Sequence, residues 1–227
     1  MKPQFVQYKT SSTLDSSVSL GSIGAAVDTG LAVFGEMPVP VLAAQPGLGR
    51  YTVFANQFAS TSQGRVSRLD RHTASAEHAV TPMRESDVRR LLGSQTRRDV
   101  LSVDWRLVSE GGNGLVQAWR AVEGGQLAVF DSLSGDDVRR IGGLLAAERG
   151  SGIQFGVGSG GLSLALASTL GSLAPVTRHA PVPAASLLAV SGSASGHPGS
   201  LVTKSTLHIH HGVSRRAGCS RRPASFV

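Results

Sequence analysis

The chain lacks several features that would each assign it to a class of protein. Its single cysteine, Cys219, excludes an intramolecular disulfide and is typical of a reducing compartment, so we expect a cytoplasmic protein. Its longest apolar stretches, such as residues 162–173, are interrupted by Ser, Thr and Gly and predict no transmembrane helix. The residues after Met1 form no continuous apolar segment, so we expect no signal peptide and no membrane partner.

Acidic residues are absent after Glu148. All 15 carboxylate side chains lie at or before that position, so the net charge of +7 comes from the C-terminal part of the chain. Binding to nucleic acid requires cations clustered on a folded face, with aromatic side chains for stacking on single strands. The basic tail has Phe226 as its only aromatic besides histidines, so we expect no specific nucleic-acid partner.

The same tail carries three closely spaced histidines, His208, His210 and His211. A metal site there is an open alternative, because imidazole is a common metal ligand. Two histidines at i and i+2 on a segment with few periodic apolar positions more often bind metals adventitiously. We therefore expect no functional metal site.

The rest of the chain alternates between strand and helix patterns. Thr81 and Pro82 are expected to start one helix, and Ser134 to cap another. Such alternation predicts an α/β fold with three layers, in which helices cover a mostly parallel sheet in an incomplete Rossmann-like domain. The predicted strands are 5–9, 39–44, 51–54, 100–105, 126–130, 153–157 and 187–190, and the predicted helices are 23–34, 85–95, 115–122, 136–149 and 162–170.

The loop after the first predicted strand combines a cation, a carboxylate and several hydroxyl groups. Lys9 can neutralise a small anion, and Ser12, Asp15 and Ser16 can hydrogen-bond the hydroxyl groups of a ligand. Ligands of such sheets bind at the carboxyl ends of strands, where this loop lies. The alternative is that Asp15 and the serines only cap the following helix.

A second loop offers an imidazole and a hydroxyl, from His78 and Thr81, beside Pro82. A lone histidine before a helix is also compatible with a structural role. The nearby cations of Arg50, Arg68 and Arg71 could contribute to a site or form a solvated face.

Two glycine-rich loops complete the candidates. Residues 156–161 match G-x-G-x-x-G between a strand and a helix, but the acidic residue that a dinucleotide site requires about 20 residues later is absent. We therefore interpret Gly158, Ser159 and Gly160 as an anion nest or a tight turn. The loop of Ser191, Gly192 and Ser193 fits either a nucleotide phosphate or a flexible linker.

Taken in order, these segments resemble the four-carbon acid sugar kinase family. The resemblance covers residues 8–196 and is carried by ordered motifs: Lys-x-x-Ser-Thr-x-Asp-Ser-Ser, Gly-Ser-Ile-Gly, Gly-Arg-Tyr-Thr-Val-Phe-x-Asn, Arg-Leu-Asp-Arg-His, Thr-Pro-Met, Gly-Ser-Gly-Gly and Ser-Gly-Ser-x-Ser.

This resemblance implies phosphorylation of the terminal hydroxyl of a sugar acid such as threonate or erythronate, with ATP and Mg²⁺ as cofactors and a homodimer as a possible assembly. It also implies a role for each candidate loop. The sugar acid would be held by Lys9, Ser12, Asp15 and Ser16, the same cleft would be lined by His78 and Thr81, and the nucleotide site would be opened by Ser191, Gly192 and Ser193.

The sequence also departs from the family pattern. Ala55 stands where glycine is usual, and no segment matches the family's acidic Asp-Asp-x-Thr-Gly loop, so no catalytic residue is assigned. We expect an internal fragment of a kinase with weak or no activity and poor binding of ATP and Mg²⁺. Residues 1–185 would be a partial sugar-acid domain, 186–200 the start of a nucleotide-binding domain, and 201–227 a disordered or frame-shifted tail. The alternative is a non-catalytic remnant that binds sugar acids or pairs with an intact subunit.

Overall fold

A computed structural model of the protein describes residues 3–61, 63–78 and 80–170. Its centre is a sheet of five parallel strands in the order β1-β8-β2-β7-β6. Those strands are β1 (Phe5–Lys9), β2 (Val39–Leu42), β6 (Val100–Val103), β7 (Leu127–Phe130) and β8 (Gln154–Gly158).

Helices cover both faces of this sheet and confirm the predicted three-layer α/β fold. Their apolar sides pack on alternate residues of the strands, so that each face of the sheet has a core of its own. The helices are α1 (Ile23–Phe34), α2 (Thr73–Ala76), α3 (Val88–Gly93), α4 (Trp105–Glu110), α5 (Gly112–Arg120), α6 (Gly135–Ala147) and α7 (Gly160–Ala167).

The two cores divide the helices between them. Val27 of α1 and Val88 of α3 pack with Val129 on one face, whereas Ile141 of α6 and Leu162 of α7 lie in the core of the other face. Full burial of one such side chain stabilises the fold by roughly 1.5–3 kcal/mol. The central strands are apolar on both faces because both faces are covered.

A small antiparallel sheet, which the sequence did not predict as a unit, inserts between β2 and α2. It consists of β3 (Arg50–Val53), β4 (Asn56–Ser60) and β5 (Val66–Arg68). Thr52 and Ser132 exchange backbone hydrogen bonds, with N···O distances of 3.2 and 3.0 Å, which attach this sheet to the residues following β7. The sequence predicted only the first of its strands.

Several predicted boundaries differ from the structure, for example at the helices expected over 115–122 and 162–170, which span Gly112–Arg120 and Gly160–Ala167, and two further differences follow from helix caps. The helix expected over 85–95 begins at Val88 and is capped by Asp87, whose side chain accepts from the Arg89 N–H, so Thr81 and Pro82 do not start it. The strand expected over 100–105 ends at Val103, because the Asp104 side chain caps α4. The predicted cap of α6 by Ser134 is confirmed, and in return the Asp137 side chain accepts from the Ser134 N–H.

Within the described residues, the structure contains no helix that combines the length and apolar character needed to cross a membrane. The predicted strand over 187–190 and the predicted domain boundaries near residues 186 and 201 lie outside the described residues.

Candidate functional site

The carboxyl ends of β1 and β8 are neighbours at one edge of the sheet, since Lys9 pairs with Gly158. The chain leaves β1 towards α1 on one face and leaves β8 towards α7 on the other. Adjacent loops that diverge in this way open a crevice, which is where open α/β sheets bind ligands.

A small pocket lies on the β1 side of this crevice. Its volume is about 170 Å³, room for several water molecules or one small organic acid. Lys9 and Asp15 of the predicted site line it, whereas Ser12 and Ser16 are not among its lining residues. The complete lining is Tyr8, Lys9, Thr10, Ser11, Asp15, Gly21 and Ile23.

The two charged groups of the pocket retain hydrogen-bonding capacity. Lys9 Nζ donates to the Thr10 carbonyl at 3.0 Å, and an ammonium group has three donors in all. Asp15 Oδ2 accepts from the Thr13 hydroxyl at 2.7 Å, which orients the carboxylate without neutralising it. The pocket therefore presents one cationic group and one anionic group to a ligand.

Ser16 and Ser12 shape the loop rather than line the pocket. The Ser16 hydroxyl is buried, donates to the Leu14 carbonyl at 3.0 Å and accepts from Gln95 Nε2 at 2.9 Å. The carbonyl oxygen of Ser12 accepts from Gln57 Nε2 at 2.9 Å. Both residues lie in the predicted loop, and in this structure their contacts are to the protein.

The free N–H groups at the N-terminus of α1 are hydrogen-bonded by residues other than Asp15 and the serines that were expected to cap this helix. Ser22 is the N-cap, and its hydroxyl accepts from the Ala25 N–H at 3.1 Å. Gln95 Oε1 accepts from the N–H groups of Ile23 and Gly24 at 2.8 and 3.3 Å. Asp15 therefore does not cap this helix, and its carboxylate remains at the pocket.

Gln95 was missed by the sequence analysis. Its side chain joins Ser16 to the first turn of α1, although it lies 79 and 72 positions away from Ser16 and Ile23 in the chain. No local pattern identifies such a contact, because the two segments meet only after the sheet has formed.

Leu14 anchors the loop by an unusual backbone conformation. Its φ of 53° is left-handed, which is rare for a residue with a β-carbon. The side chain is only 2% exposed and belongs to the same buried cluster as Leu69 and Met83. Burial of Leu14 thus offsets the backbone strain and fixes Asp15 beside the pocket.

His78 and Thr81 form a local pair outside the pocket lining. The His78 ring Nδ1 accepts from the Thr81 N–H at 3.1 Å and lies 2.9 Å from the Thr81 hydroxyl. The remaining ring nitrogen, Nε2, therefore carries the proton of the neutral ring. Met83, which follows this pair, belongs to the same buried cluster as Leu14.

The glycine-rich turn after β8 is closely packed. Ser159 caps α7 by accepting from the Gly161 N–H at 3.0 Å, and its hydroxyl donates to the Ala44 carbonyl at 3.2 Å. A β-carbon on Gly158 would lie 2.5 Å from the Leu42 carbonyl oxygen, and one on Gly160 would lie 2.7 Å from the Gln45 side chain. These glycines allow α7 to approach β2, and the predicted anion nest stays a prediction.

A buried carboxylate follows β7 at the same edge of the sheet. Asp131 accepts from the N–H groups of Phe54, Ala55 and Trp105 at 2.5, 2.9 and 3.0 Å. Burial raises the pKa of this carboxyl above its usual range, and the three donors only partly oppose the change. Asp131 thereby holds the β3–β4 turn, in which Ala55, at the usual glycine position, has a φ of 61°.

A larger open depression of about 710 Å³ lies between α1 and the segment after α3, lined by Asp28 and residues 93–98. Its main cation is already paired, since Arg98 donates to Asp28 at 2.7 Å and to Glu36 at 2.7 Å. It contains none of the predicted site residues.

The same residues can be compared with the needs of a metal ion and of a nucleotide. Across residues 3–61, 63–78 and 80–170, no cluster of three or more His, Cys, Asp or Glu side chains is gathered in a way that could hold a metal ion. At the Gly158–Gly161 turn, β-carbons on Gly160 and Gly161 would meet Gln45 and the Ala44 carbonyl, so these glycines are required for close packing. Ser191, Gly192, Ser193 and the tail histidines lie outside the described residues.

Two kinases are similar in sequence to the chain. A 3-oxo-isoapionate kinase from Paraburkholderia graminis is 37% identical over 196 residues, which are 84% of this chain and 41% of that protein. A 3-oxo-tetronate kinase from Methylobacterium radiotolerans is 30% identical over 177 residues, 77% of this chain and 39% of that protein. The chain thus spans about 40% of the length of these relatives.

Two solved structures are similar in fold. A Haemophilus influenzae protein is 22% identical with a TM-score of 0.63, covering 74% of this chain and 38% of that chain. A Bordetella bronchiseptica protein, a domain-swapped dimer with bound citrate, is 27% identical with a TM-score of 0.55, covering 72% and 36%.

The family itself follows from the extent of a further match. Residues 1–166 match the sugar-binding N-terminal domain family, and this segment contains the whole main sheet and the Lys9 pocket. The resemblance to sugar-acid kinases expected from the ordered motifs is confirmed by these relatives. The chain belongs to the sugar-binding N-terminal domain family.

Proposed function

We propose that this chain binds a four-carbon sugar acid in the Lys9 pocket and is the substrate-binding part of an ATP-dependent sugar-acid kinase. The observation that carries the proposal is a pocket of about 170 Å³ with a cation, a carboxylate and hydroxyl groups at the carboxyl end of β1. Threonate, erythronate and their 3-oxo relatives are the ligand class of matching size and chemistry.

The two charges of the pocket favour a hydroxy acid over a simple anion. Lys9 would bind the ligand carboxylate, because a charge-assisted hydrogen bond is stronger than a neutral one. Asp15 would accept from ligand hydroxyl groups and would repel a second carboxylate. A molecule with one carboxylate and several hydroxyls satisfies both groups, whereas a dicarboxylate does not.

The remaining predicted residues would act on this pocket indirectly. Ser12 and Ser16 would maintain the loop through Gln57 and Gln95, and the pair of His78 and Thr81 would close the neighbouring side of the cleft. Ser191, Gly192 and Ser193 are proposed to begin a nucleotide site.

Catalysis is proposed for the complete kinase rather than for this chain. Phosphoryl transfer depends on positioned Mg²⁺, nucleotide and a carboxylate near the reacting hydroxyl. Because no segment of this sequence matches the acidic loop that the family resemblance implies near the reacting hydroxyl, we propose binding with weak or no turnover. The cytoplasmic location stays a prediction.

Calorimetric titration with erythronate, D-threonate, L-threonate and 3-oxo-tetronate, with and without ATP, tests the binding role. We expect saturable binding of at least one acid, with little change on addition of ATP. A chain that binds none of these acids would overturn the proposal. Robust ATP-dependent phosphorylation by the purified chain would overturn the claim of weak turnover.

A pair of variants locates the site. Lys9→Met retains the length of the side chain but removes its charge, and we expect about a tenfold or greater loss of affinity, or about 1.4 kcal/mol. Arg97→Met removes a cation from the wall of the larger depression and should leave affinity unchanged. Equal affinity of Lys9→Met and the unaltered chain would place the ligand elsewhere.

A homodimer is the assembly we propose, supported by the domain-swapped dimer of the Bordetella bronchiseptica relative. Light scattering of the purified chain across a range of concentrations tests it. A monomer at every concentration would contradict the proposal without affecting the binding role.

A further inference from the structure

Thr10 lines the Lys9 pocket but was not among the predicted site residues. It follows Lys9 directly at the end of β1, and the residue as a whole is only 7% exposed. Its hydroxyl oxygen, Oγ1, is buried and has no hydrogen-bond partner among the described residues. Since nearly all buried polar groups in folded proteins are hydrogen-bonded, this hydroxyl requires an explanation.

The backbone of Thr10 does not need the hydroxyl. Its N–H donates to the Gly158 carbonyl at 2.8 Å, which continues the β1–β8 pairing by one residue. Its carbonyl accepts from Lys9 Nζ at 3.0 Å. A valine, which has the same shape and good strand propensity, could make both bonds without burying an unpaired oxygen.

We propose that Thr10 Oγ1 hydrogen-bonds a hydroxyl group of the bound sugar acid and so selects hydroxylated acids over their deoxy analogues. This inference rests on the proposed function of the pocket. Lys9 and Asp15 would supply the charges that bind and orient the acid. Thr10 would supply a neutral group that hydrogen-bonds a ligand hydroxyl beside them.

Selectivity follows from the burial of the oxygen. A site built to pair with a ligand hydroxyl rejects an analogue that lacks it, because the buried protein group is then left unpaired. An exposed hydroxyl would give little discrimination, since water would replace the missing ligand group. Thr10 lines the pocket and its Oγ1 is buried without a partner, so a turn of this side chain towards the bound acid would make Thr10 a specificity-determining residue rather than a general binding group.

The test compares Thr10→Val, which retains the shape, with Thr10→Ser, which retains the hydroxyl. Calorimetry would measure the affinity of each protein for erythronate, 3,4-dihydroxybutanoate and 2,4-dihydroxybutanoate. We expect the unaltered chain and Thr10→Ser to prefer erythronate over one of the two deoxy acids by about 10–100-fold. In Thr10→Val that preference should fall to about threefold or less.

Unfolding in urea without ligand gives a second readout. Thr10→Val should unfold at an equal or higher urea concentration than the unaltered chain, because it removes a buried unpaired oxygen. A clearly lower midpoint would assign the hydroxyl to a structural partner, such as a buried water, and would overturn the proposal.

The outcomes separate this proposal from the one it rests on. If the unaltered chain binds erythronate and Thr10→Val discriminates equally well, the role of Thr10 is wrong and the function of the pocket stands. If the unaltered chain binds no sugar acid, both are wrong.

Discussion

Two neighbouring loops at the carboxyl edge of the sheet have opposite constructions, one predicted to bind a small anion and the other predicted to be an anion nest or a tight turn. The loop after β1 surrounds a pocket of about 170 Å³ that includes Lys9 and Asp15. The turn after β8 is filled, because Gly158 and Gly160 lie against Leu42 and Gln45. Glycine in the second case serves the close packing of α7, whereas polar side chains in the first case border open space.

The difference shows that composition alone does not distinguish a loop that borders a pocket from a packing turn. The β1 loop is held around its pocket by residues that do not line the pocket. Leu14 is buried in the core, and Gln95 hydrogen-bonds Ser16 and the first turn of α1. The β8 turn is stabilised by its own cap, Ser159, and by its contact with Ala44. Variants in the two loops should therefore differ in how they change stability and sugar-acid binding.

Removal of the Leu14 anchor should have the largest effect. Leu14→Ala deletes a buried side chain from the core below the pocket, and such changes cost about 2–5 kcal/mol. We expect a correspondingly lower urea midpoint and loss of sugar-acid binding. Leu164→Ala, on the exposed side of α7, is the matched control and should change neither. A stable Leu14→Ala protein with intact binding would show that the loop does not depend on this anchor.

Filling the β8 turn should be the next most damaging change. A β-carbon on Gly161 would clash with the carbonyl oxygen of Ala44, so Gly161→Ala should destabilise the chain by about 1–3 kcal/mol. Gly143→Ala, in α6 with open space around it, should instead stabilise by about 1 kcal/mol, because alanine is the better helix former. Equal midpoints for the two variants would contradict the packing role of the turn.

Loss of the Gln95 link should be milder in stability but specific to the β1 loop. Gln95→Ala leaves the N–H groups of Ile23 and Gly24 and the hydroxyl of Ser16 without this partner, which costs about 1–2 kcal/mol. We expect weaker sugar-acid binding in calorimetry, because the pocket wall at Ile23 loosens. Gln117→Ala on the exposed face of α5 should leave affinity and stability unchanged. Unaltered affinity of Gln95→Ala would argue against the link.

The smallest effect on stability is expected for Asp131, which lies in a third loop at the same edge of the sheet, directly after β7. Burial raises its pKa in the folded protein, so the folded state binds this proton more tightly than the unfolded chain. The contribution of Asp131 to the free energy of unfolding is complete at pH values below the pKa that this carboxyl has in the unfolded chain. It is lost as the pH rises through the higher pKa of the folded protein. Asp131→Asn cannot titrate, and it also loses one of the three accepted N–H bonds.

The readout is the difference in urea midpoint between the unaltered chain and Asp131→Asn, followed from pH 4 to pH 8. The urea midpoint of the unaltered chain should exceed that of Asp131→Asn by a smaller amount as the pH rises through that range. A constant or growing advantage would mean that the pKa of Asp131 is not raised.

Local patterns were sufficient to predict much of the fold. The bounds of β1 and α1 were predicted correctly, because each is a short apolar or amphipathic segment with clear limits, and Ser134 was recognised as a cap. Strands β4 and β5 were missed because they are partly polar and contain no apolar run. The attachment of the β3–β5 sheet to Ser132 depends on contacts distant in sequence.

The candidate site was predictable in part for the same reason. Lys9 and Asp15 were identified because their residue types and their position after a strand indicate ligand binding. The roles of Leu14 and Gln95 were not predictable, since one depends on a left-handed backbone and the other on a contact across 72 positions. Thr10 was overlooked because only its burial without a partner distinguishes it.

A single titration followed by nuclear magnetic resonance compares the two loops directly. Erythronate would be added to the ¹⁵N-labelled chain while the amide signals of residues 9–15 and 158–161 are recorded. The account predicts saturable shifts centred on Lys9, Thr10 and Asp15, with much smaller changes at Ser159 and Gly160. Shifts centred on the β8 turn, or no saturable shift in either loop, would contradict it.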